Sequence, residues 1–138
     1  LMIGMIVKST GERIGDTFNI SQTMIKIDLT TTQKDKTVCG VYKGLDGKND
    51  GKNQNGEDLI AYNAIGEGLI RVTDTNGNIE NGDYICSSNI LGHGEKQNEE
   101  YLANYTVAKA TETIDWSTIT DTFEGQKTAL ICCTYHCG

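Results

Sequence analysis

The sequence predicts an all-β fold, an antiparallel β-barrel or sandwich of about eight short strands with one minor helical turn. Short runs in which apolar and β-branched residues alternate with polar ones recur along the chain. Turns made of Gly and Asn separate these runs, and the chain has 16 Gly and no Pro. A length of 138 residues is typical of one domain. We therefore expect residues 1–138 to form a single β-rich domain.

The predicted strands follow from these runs in order. In an early run Ile25, Ile27 and Leu29 alternate with charged residues, which is typical of a strand with one buried face. The later runs are residues 38–42, 59–65, 68–73, 83–87, 105–110 and 128–135. Asn76-Gly77 lies between two of these runs, and it predicts a hairpin turn because both residues tolerate positive φ.

Two segments depart from the strand pattern. Residues 98–104 predict one or two helical turns, with Asn98 as the N-cap and Glu99 near the positive end of the helix dipole. Residues 44–56 are rich in Gly and Asn and predict a flexible surface loop.

The same loop carries oxygen ligands of the kind that Ca²⁺ prefers. They are Asp46, Asn49, Asp50, Asn53, Asn55, Glu57 and Asp58. If Gly56 were the invariant glycine of an EF-hand, Gly51 would occupy the first ligand position, and it has no ligand to offer. We therefore expect a solvated loop and predict no calcium cofactor.

The charge balance and the distribution of apolar residues limit the partners. The chain has 12 basic and 19 acidic residues, a formal net charge of -7, and its basic residues are scattered. Nucleic-acid binding requires clustered cations, so we expect no nucleic-acid partner. No apolar run is long enough to predict insertion into a membrane, and residues 1–10 lack the plan of a signal peptide. Because the first residue is Leu, we expect the chain to be a piece of a longer protein.

The potential nucleophiles and bases form no recognisable catalytic motif. His93 lies between two glycines, and its sequence predicts a turn histidine without a catalytic role. Cys39 and Cys86 lie within predicted strands, where cysteine usually acts as a small core hydrophobe. The five cysteines are too few for a disulfide framework and favour free thiols. We predict no catalytic, cofactor-binding or metal-binding residues.

The C-terminal run is the densest group of potential metal ligands. Cys133 shares a strand face with Tyr135 and Cys137, whereas Cys132 and His136 point to the opposite face. Neither face offers the four ligands of a structural zinc site. A trimer would bring three copies of His136 or Cys137 near its axis, where they could bind a metal or form interchain disulfides. Strand packing with reduced thiols is the alternative, and the sequence leaves the redox state open.

Two aromatic residues suggest a different use of the surface. Trp116 is the only Trp, and it follows Asp115 in a polar stretch. Together with Tyr101 and the loop at residues 44–56, it could stack on a sugar of a host-surface glycan. The alternative is that Trp116 fills the core.

A longer pattern resembles a known family. The stretches GLIRVTDTNGNIENGDYICSSNILGHGEKQ (68–97), NYTVAKAT (104–111) and TYHCG (134–138) carry it, together with the run 4–7 and the strand 38–42 around Gly40. This plan resembles the C-terminal domain of viral fibre and tail-appendage proteins, the family that includes the self-cleaving domain of phage pre-neck-appendage proteins. The likeness covers most of the chain and rests on glycines, turns and strand order.

The resemblance implies a domain that trimerises, aligns the preceding fibre chains as an intramolecular chaperone and, in some members, is released by autoproteolysis. The proteolytic members resemble one another in an acidic Asp-Tyr-Ala-Glu-like stretch before the first strand. This chain shows no such stretch before residue 4, so the resemblance assigns no catalytic residue.

Three functions remain open from the sequence. The first is a structural module of a virion, a homotrimeric cap attached to the upstream fibre region of the same protein. The second is a self-cleaving peptidase that cuts at or before residue 1. The third is a glycan-binding adhesin tip. The sequence identifies neither the parent protein nor its host.

Overall fold

The computed structural model describes residues 1–14, 24–45 and 59–137, which form ten β-strands and two short 3-10 turns. The prediction of an all-β fold is confirmed. The strands are β1 (Ile6–Ile14), β2 (Met24–Leu29), β3 (Val38–Leu45), β4 (Ile60–Asn63), β5 (Ile65–Thr73), β6 (Tyr84–Ser87), β7 (Gly94–Lys96), β8 (Thr106–Ala110), β9 (Thr122–Phe123) and β10 (Gln126–His136). The 3-10 turns are Asp74–Asn76 and Trp116–Thr118.

The strands form two sheets. The first sheet has the order β2-β1-β3-β4 and is antiparallel throughout. The second has the order β5-β7-β6-β8-β10-β9, and β10 also pairs with β5. This additional pairing closes β5, β7, β6, β8 and β10 into a small barrel. The longest contact in the barrel is between β10 and β5, which run antiparallel from Thr128 opposite Thr73 to His136 opposite Ile65.

On the β5 and β10 side, the barrel core follows the two-residue repeat of the strands. Ile131, Cys133 and Tyr135 of β10 are buried, and Ile70 and Val72 of β5 lie in the same core. Residues of β6 and β8, with residues of the segments before β6 and after β8, complete the cluster. They are Ile79, Ile85, Val107, Ala108, Ala110, Ile114 and Trp116. The alternation leaves the other face of β5 and β10 for the outside of the barrel, whereas consecutive residues of β6 and β8 are buried.

The first sheet is attached to the barrel through β1 and the residues that precede it. Ile6 and Val41 are buried in the barrel core, and the backbone N–H of Ile6 donates to the carbonyl of Gly92 over 2.8 Å. The N–H of Arg71 in β5 donates to the carbonyl of Gly4, also over 2.8 Å. One core thus spans both sheets.

Beyond this attachment, β1 and β2 continue as a two-stranded ribbon. We call residues 9–14 of β1 and 24–28 of β2 the arm. Its register pairs Ser9 with Ile27 and Arg13 with Ile25, and it shifts between these pairs. The residues of the arm whose burial is described are exposed or only partly buried. The arm therefore extends past the part of the sheet that packs on the barrel.

The helical turns predicted for residues 98–104 do not form, and this prediction is wrong. These residues make bends and turns. The side-chain amide of Gln97 donates to the carbonyls of Glu99 and Tyr101, over 3.1 and 2.9 Å. The carboxylate of Glu99 contacts Lys34, at 3.0 Å, and the hydroxyl of Tyr105. The Gln97 side chain thus occupies carbonyls that helical hydrogen bonds would use, and Glu99 binds distant residues instead of capping a helix. The segment therefore follows the barrel surface.

The predicted hairpin at Asn76-Gly77 is also wrong. β7 lies between β5 and β6 in the sheet, so the two flanking strands do not pair. Asn76 ends a 3-10 turn, and Gly77 has a φ of 88° and a ψ of -173°. Two hydrogen bonds hold Asn76, because its amide donates to the carbonyl of Lys96 at the end of β7 and to the side chain of Asn98, two residues further on. The sequence of the turn does not indicate that β7 inserts between β5 and β6.

The predicted loop at residues 44–56 has only its first two residues within the described part, where they end β3. Residues 46–56, and with them the acids and amides considered as calcium ligands between Asp46 and Asp58, lie outside the described residues. In the described part of the chain, no helix has the length and apolar character that crossing a membrane requires.

Candidate functional site

The C-terminal strand has the two faces that its sequence predicts. Cys133 and Tyr135 are buried in the barrel, whereas Cys132 is exposed and His136 is partly exposed. The ring Nε2 of His136 lies 3.2 Å from the hydroxyl of Thr134. Among residues 1–14, 24–45 and 59–137, no three His, Cys, Asp or Glu side chains are grouped as a metal site requires. The potential metal ligands of this strand therefore lie in two environments, with Cys133 in the core and with Cys132 and His136 at the surface.

All five cysteines are free thiols, as the sequence favours. Burial raises the pKa of Cys86, of Cys133 and of Cys137 to about 12 each. Burial also raises the pKa of Cys39 to about 11. The thiolate is the reactive form of cysteine, so these four side chains are poor nucleophiles at neutral pH. Cys86 is buried in the core, as its position in a predicted strand indicates, whereas Cys39 is only partly buried. Cys133 is buried as well.

His93 ends a turn, as its sequence predicts, since its N–H donates to the carbonyl of Ile90 over 3.0 Å, but its side chain lies in the core, which the sequence did not predict. Its ring is buried and stacks on Phe123 with 4.5 Å between the ring centroids. Nδ1 lies 2.7 Å from the carbonyl of Leu91, and Nε2 lies 2.8 Å from the hydroxyl of Thr128. With Nδ1 protonated, the ring donates to Leu91 and accepts from Thr128. Desolvation lowers the pKa of His93, so its neutral form joins the Gly92 turn to β10.

A polar cluster at one side of the barrel was not predicted from the sequence. The buried carboxylate of Glu95 accepts hydrogen bonds from the Gln33 amide over 2.5 Å and from the Thr75 hydroxyl over 2.9 Å. The hydroxyl of Ser87 donates to the carbonyl of Thr32 over 2.7 Å. These contacts fasten the turn between β2 and β3 to β6 and β7.

Glu99 extends this cluster toward the surface. Its carboxylate accepts hydrogen bonds from the Tyr105 hydroxyl and from the Lys34 ammonium group. These two bonds lower the pKa of Glu99, and the bond to Glu99 raises the pKa of Lys34. The carboxylate and the ammonium group therefore stay ionised at neutral pH. Because the hydrogen bonds connect the turn to β8 through Tyr105, the arrangement holds the two sheets together.

The two aromatic residues considered for sugar binding lie in different environments. Trp116 is 5% exposed, and its indole Nε1–H donates to the carbonyl of Gly77 over 2.8 Å. The face of the indole is therefore not available for stacking, and the alternative in which Trp116 fills the core is correct. Tyr101 is exposed. The structure does not bring these two residues together on one open surface.

Exposed apolar side chains follow the outer face of β5 and β10. Ile65 is 69% exposed, Leu69 is 40% exposed and Leu130 is 38% exposed. Leu69 lies opposite the exposed Cys132 in the strand register. Ile3 is 55% exposed and lies at the same face. Its carbonyl accepts a hydrogen bond from Nε of Arg71, and Arg71 lies opposite Leu130 in the strand register. We call Ile3, Ile65, Leu69 and Leu130 the apolar strip.

A shallow groove adjoins the apolar strip at Leu130. Its volume is about 280 Å³. One wall is formed by residues 112–115 with Thr118 and Ile119, and the other by residues 129–131 of β10. The groove occupies a gap in the sheet, since β9 pairs with residues 126–127 of β10 and β8 pairs with residues 133–135. Residues 129–131 thus have β5 on one side and the groove on the other.

Two acidic side chains lie at the groove. The carboxylate of Glu112 accepts a hydrogen bond from the N–H of Cys132 over 2.7 Å. Asp115 accepts from the N–H and the hydroxyl of Ser117, over 3.0 and 2.8 Å. The hydrogen bonds from Ser117 lower the pKa of Asp115, so this carboxylate is ionised at neutral pH. The groove is therefore lined by both apolar and acidic side chains.

The chain was compared with family models, with curated proteins and with solved structures, and none of them matches. The candidate site consequently rests on its own geometry. Its main parts are the apolar strip and the groove, which share Leu130. The alternation along β10 predicted which residues face outward, but only the pairing of β10 with β5 shows that these residues form one surface.

Proposed function

We propose that this chain is a structural assembly module that forms a homotrimer and serves as the C-terminal cap and folding aid of a viral fibre. The apolar strip carries this proposal. Apolar side chains that a protein leaves exposed on one face are a common site of association with a partner. A second copy of the chain is the partner that a trimer provides. The resemblance of the sequence to fibre and tail-appendage domains supports the virion as the setting.

The strip is well suited to assembly because its platform is rigid. β5 and β10 pair along nine consecutive positions, from Thr128 opposite Thr73 to His136 opposite Ile65. Their inner faces lie in the core, so the strand backbone that carries Leu69 and Leu130 is held in place. A surface that is ordered before binding loses less conformational entropy on association.

The N-terminal residues fit the same proposal. The carbonyls of Ile3 and Gly4 both accept hydrogen bonds from Arg71, over 2.8 Å each. In a longer protein, the residues that precede Leu1 would therefore enter the domain beside the strip. If the strips of three copies face one another, the three preceding chains are brought together at the same place, which is the task of a fibre cap.

Light scattering after size-exclusion chromatography tests the proposal. We expect a mass of three times the 15.1 kDa of the chain. Leu69→Glu places a charge in the strip and should give monomers that remain folded, because Leu69 is not a core residue. Leu102→Glu is the matched control, since Leu102 is 56% exposed outside the strip, and it should remain trimeric. A wild-type monomer at the highest soluble concentration would refute the proposal.

A further inference from the structure

We propose that Arg71 of one copy pairs with Glu67 of the next copy, so that the apolar strips of the homotrimer meet head to tail. This inference rests on the homotrimer proposed above and states which ends of the strips face each other. Three observations support it. The two charges lie at opposite ends of one outer strand face, neither pairs within its own copy, and the arginine is held in position.

Arg71 and Glu67 lie on the outer face of β5, on either side of Leu69. Ile70 and Val72 are buried in the barrel core, so residues 67, 69 and 71 face outward. Glu67 and Leu69 are exposed, and Arg71 is partly exposed. An apolar side chain thus separates a cation from an anion along one strand. The same face therefore carries both halves of an ion pair.

The two charges do not pair within one copy. Four strand positions separate them, which corresponds to about 13 Å along an extended strand. The ion pairs among the described residues join other side chains. Thr134 lies between Glu67 and Lys109 in the strand register, and the ammonium group of Lys109 lies over the ring of Tyr84, 5.8 Å from its centroid. Each end of the outer face thus offers a charge to another molecule.

The N-terminal residues hold the guanidinium group of Arg71 in position. Its Nε donates to the carbonyl of Ile3 over 2.8 Å. The backbone at Gly4 covers the stem of the side chain, since a Cβ on Gly4 would lie 3.1 Å from Arg71 Cγ. Within the described part of the chain, the two terminal nitrogens make no hydrogen bond, so their N–H groups are available to a carboxylate in the paired geometry that arginine favours. A cation that is already restrained loses less conformational entropy when it pairs.

The surroundings of the strip strengthen such a pair. Leu130 lies opposite Arg71 in the register, so an approaching copy that covers Leu69 and Leu130 also displaces water near the charges. Opposite charges attract more strongly where water is excluded. Copies that each carry a net charge of -7 repel one another. A contact between a cation and an anion offsets part of this repulsion and fixes which ends of the strips meet.

The pairing accounts for a closed assembly. The end with Arg71 and the end with Glu67 are different surfaces, so each copy turns one end to each of its two neighbours. Such head-to-tail contacts form a ring when the rotation between copies closes. A trimer is one such ring, with one strip along each side of a triangle. If β5 of every copy ran parallel to the three-fold axis instead, three Arg71 side chains would face one another and repel.

Charge reversal tests the pairing. Glu67→Lys should raise the concentration needed for assembly about tenfold, measured by sedimentation over a concentration series, because two cations then meet at every contact. Arg71→Glu should have a similar effect. Glu67→Lys combined with Arg71→Glu should restore at least part of the lost affinity, because the two charges are exchanged. Glu100→Lys reverses an exposed charge outside the strip and is the matched control. Equal melting temperatures of the dissociated variants would exclude a folding defect.

Disulfide trapping identifies the contact directly. The combination Glu67→Cys with Arg71→Cys should give disulfide-linked trimers after mild oxidation, at a concentration where light scattering shows assembled chains. Cys132→Ser removes the exposed native thiol from this variant. The two new cysteines are about 13 Å apart in one copy, beyond the roughly 7 Å that a disulfide spans, so they join only between copies. Either new cysteine alone should give no linked chains.

The possible outcomes separate the pairing from the trimer. If the doubly reversed variant regains no affinity, or if Arg71→Cys alone gives linked chains, the pairing is overturned while the trimer stands. An unchanged trimer for Glu67→Lys would overturn it too. A mass of two chains would refute the homotrimer and with it the head-to-tail ring. A monomeric wild type would refute the trimer and the inference together.

Discussion

The substitution Trp116→Phe measures how strongly the core holds the segment that forms the groove wall. The indole is buried, and its Nε1–H donates to the carbonyl of Gly77. Two backbone contacts at Trp116 do not involve the indole: its N–H donates to the Asn78 side chain, and its carbonyl accepts from the ammonium group of Lys127. The 3-10 turn should therefore stay in place, and the change should report on the indole alone.

The expected loss is about 2–3 kcal/mol of unfolding free energy. About 1 kcal/mol comes from the hydrogen bond to Gly77. About 1–2 kcal/mol comes from the space that the smaller ring leaves, since complete truncation of a buried Trp to Ala costs about 3–5 kcal/mol. For a chain of this length, 1 kcal/mol corresponds to about 4 °C in melting temperature, so the variant should melt about 8–12 °C lower.

Urea unfolding followed by far-ultraviolet circular dichroism is the suitable assay, because the variant lacks the only Trp of the chain. Wild type and variant are compared at one protein concentration, since assembly adds to apparent stability. Trp116→Ala is the reference for complete truncation. A loss below about 0.5 kcal/mol for Trp116→Phe, within the range of surface substitutions, would refute the core role of the indole. Ready quenching of the wild-type fluorescence by acrylamide would contradict it as well.

Two further predictions concern His93 and Gly94. Desolvation lowers the pKa of His93 below its ordinary 6.5 in the folded state, so the unfolded state binds the proton more readily. The contribution of His93 to stability should therefore be complete above pH 6.5 and decrease as the pH falls through this value. Urea titrations of wild type and His93→Gln should show this decrease in the wild type only; parallel pH profiles would contradict it. Gly94→Ala should cost about 1–3 kcal/mol, because its Cβ would lie 2.6 Å from Ile85 Cγ2 and 3.2 Å from the Cys86 carbonyl. Unchanged thermal unfolding would show that the core has more room than these distances allow.

Local alternation predicted most strands but not β1 or the two shortest strands, β7 and β9. β7 has three residues and β9 has two, and neither has a recognisable apolar repeat. β7 forms because β6 offers it three antiparallel partners, from Ile85 opposite Lys96 to Ser87 opposite Gly94. The presence of β7 between β5 and β6 is also why Asn76-Gly77 makes no hairpin. Such elements depend on neighbours that the local sequence does not contain.

The polar clusters show the same limit. Gln33 reaches Glu95 across 62 positions of sequence, and Lys34 reaches Glu99 across 65. Each residue alone reads as an ordinary polar surface residue. The contact between Lys34 and Glu99 also explains why the helix prediction is wrong, because Glu99 binds Lys34 instead of stabilising a helix N-terminus. No signal within residues 98–104 could have indicated it.

The sequence by itself determined the all-β class and the two faces of β10, with Cys133 and Tyr135 inside and Cys132 outside. Both follow from the two-residue repeat of a strand, which is a local property of the backbone. Only the tertiary structure decided that Trp116 and His93 are core residues. Their hydrogen-bond partners Gly77 and Thr128 lie 39 and 35 positions away, and burial depends on which distant segments the closure of the barrel brings together. The apolar strip and the groove arise in the same way, from the pairing of β10 with β5 and from the gap between β8 and β9.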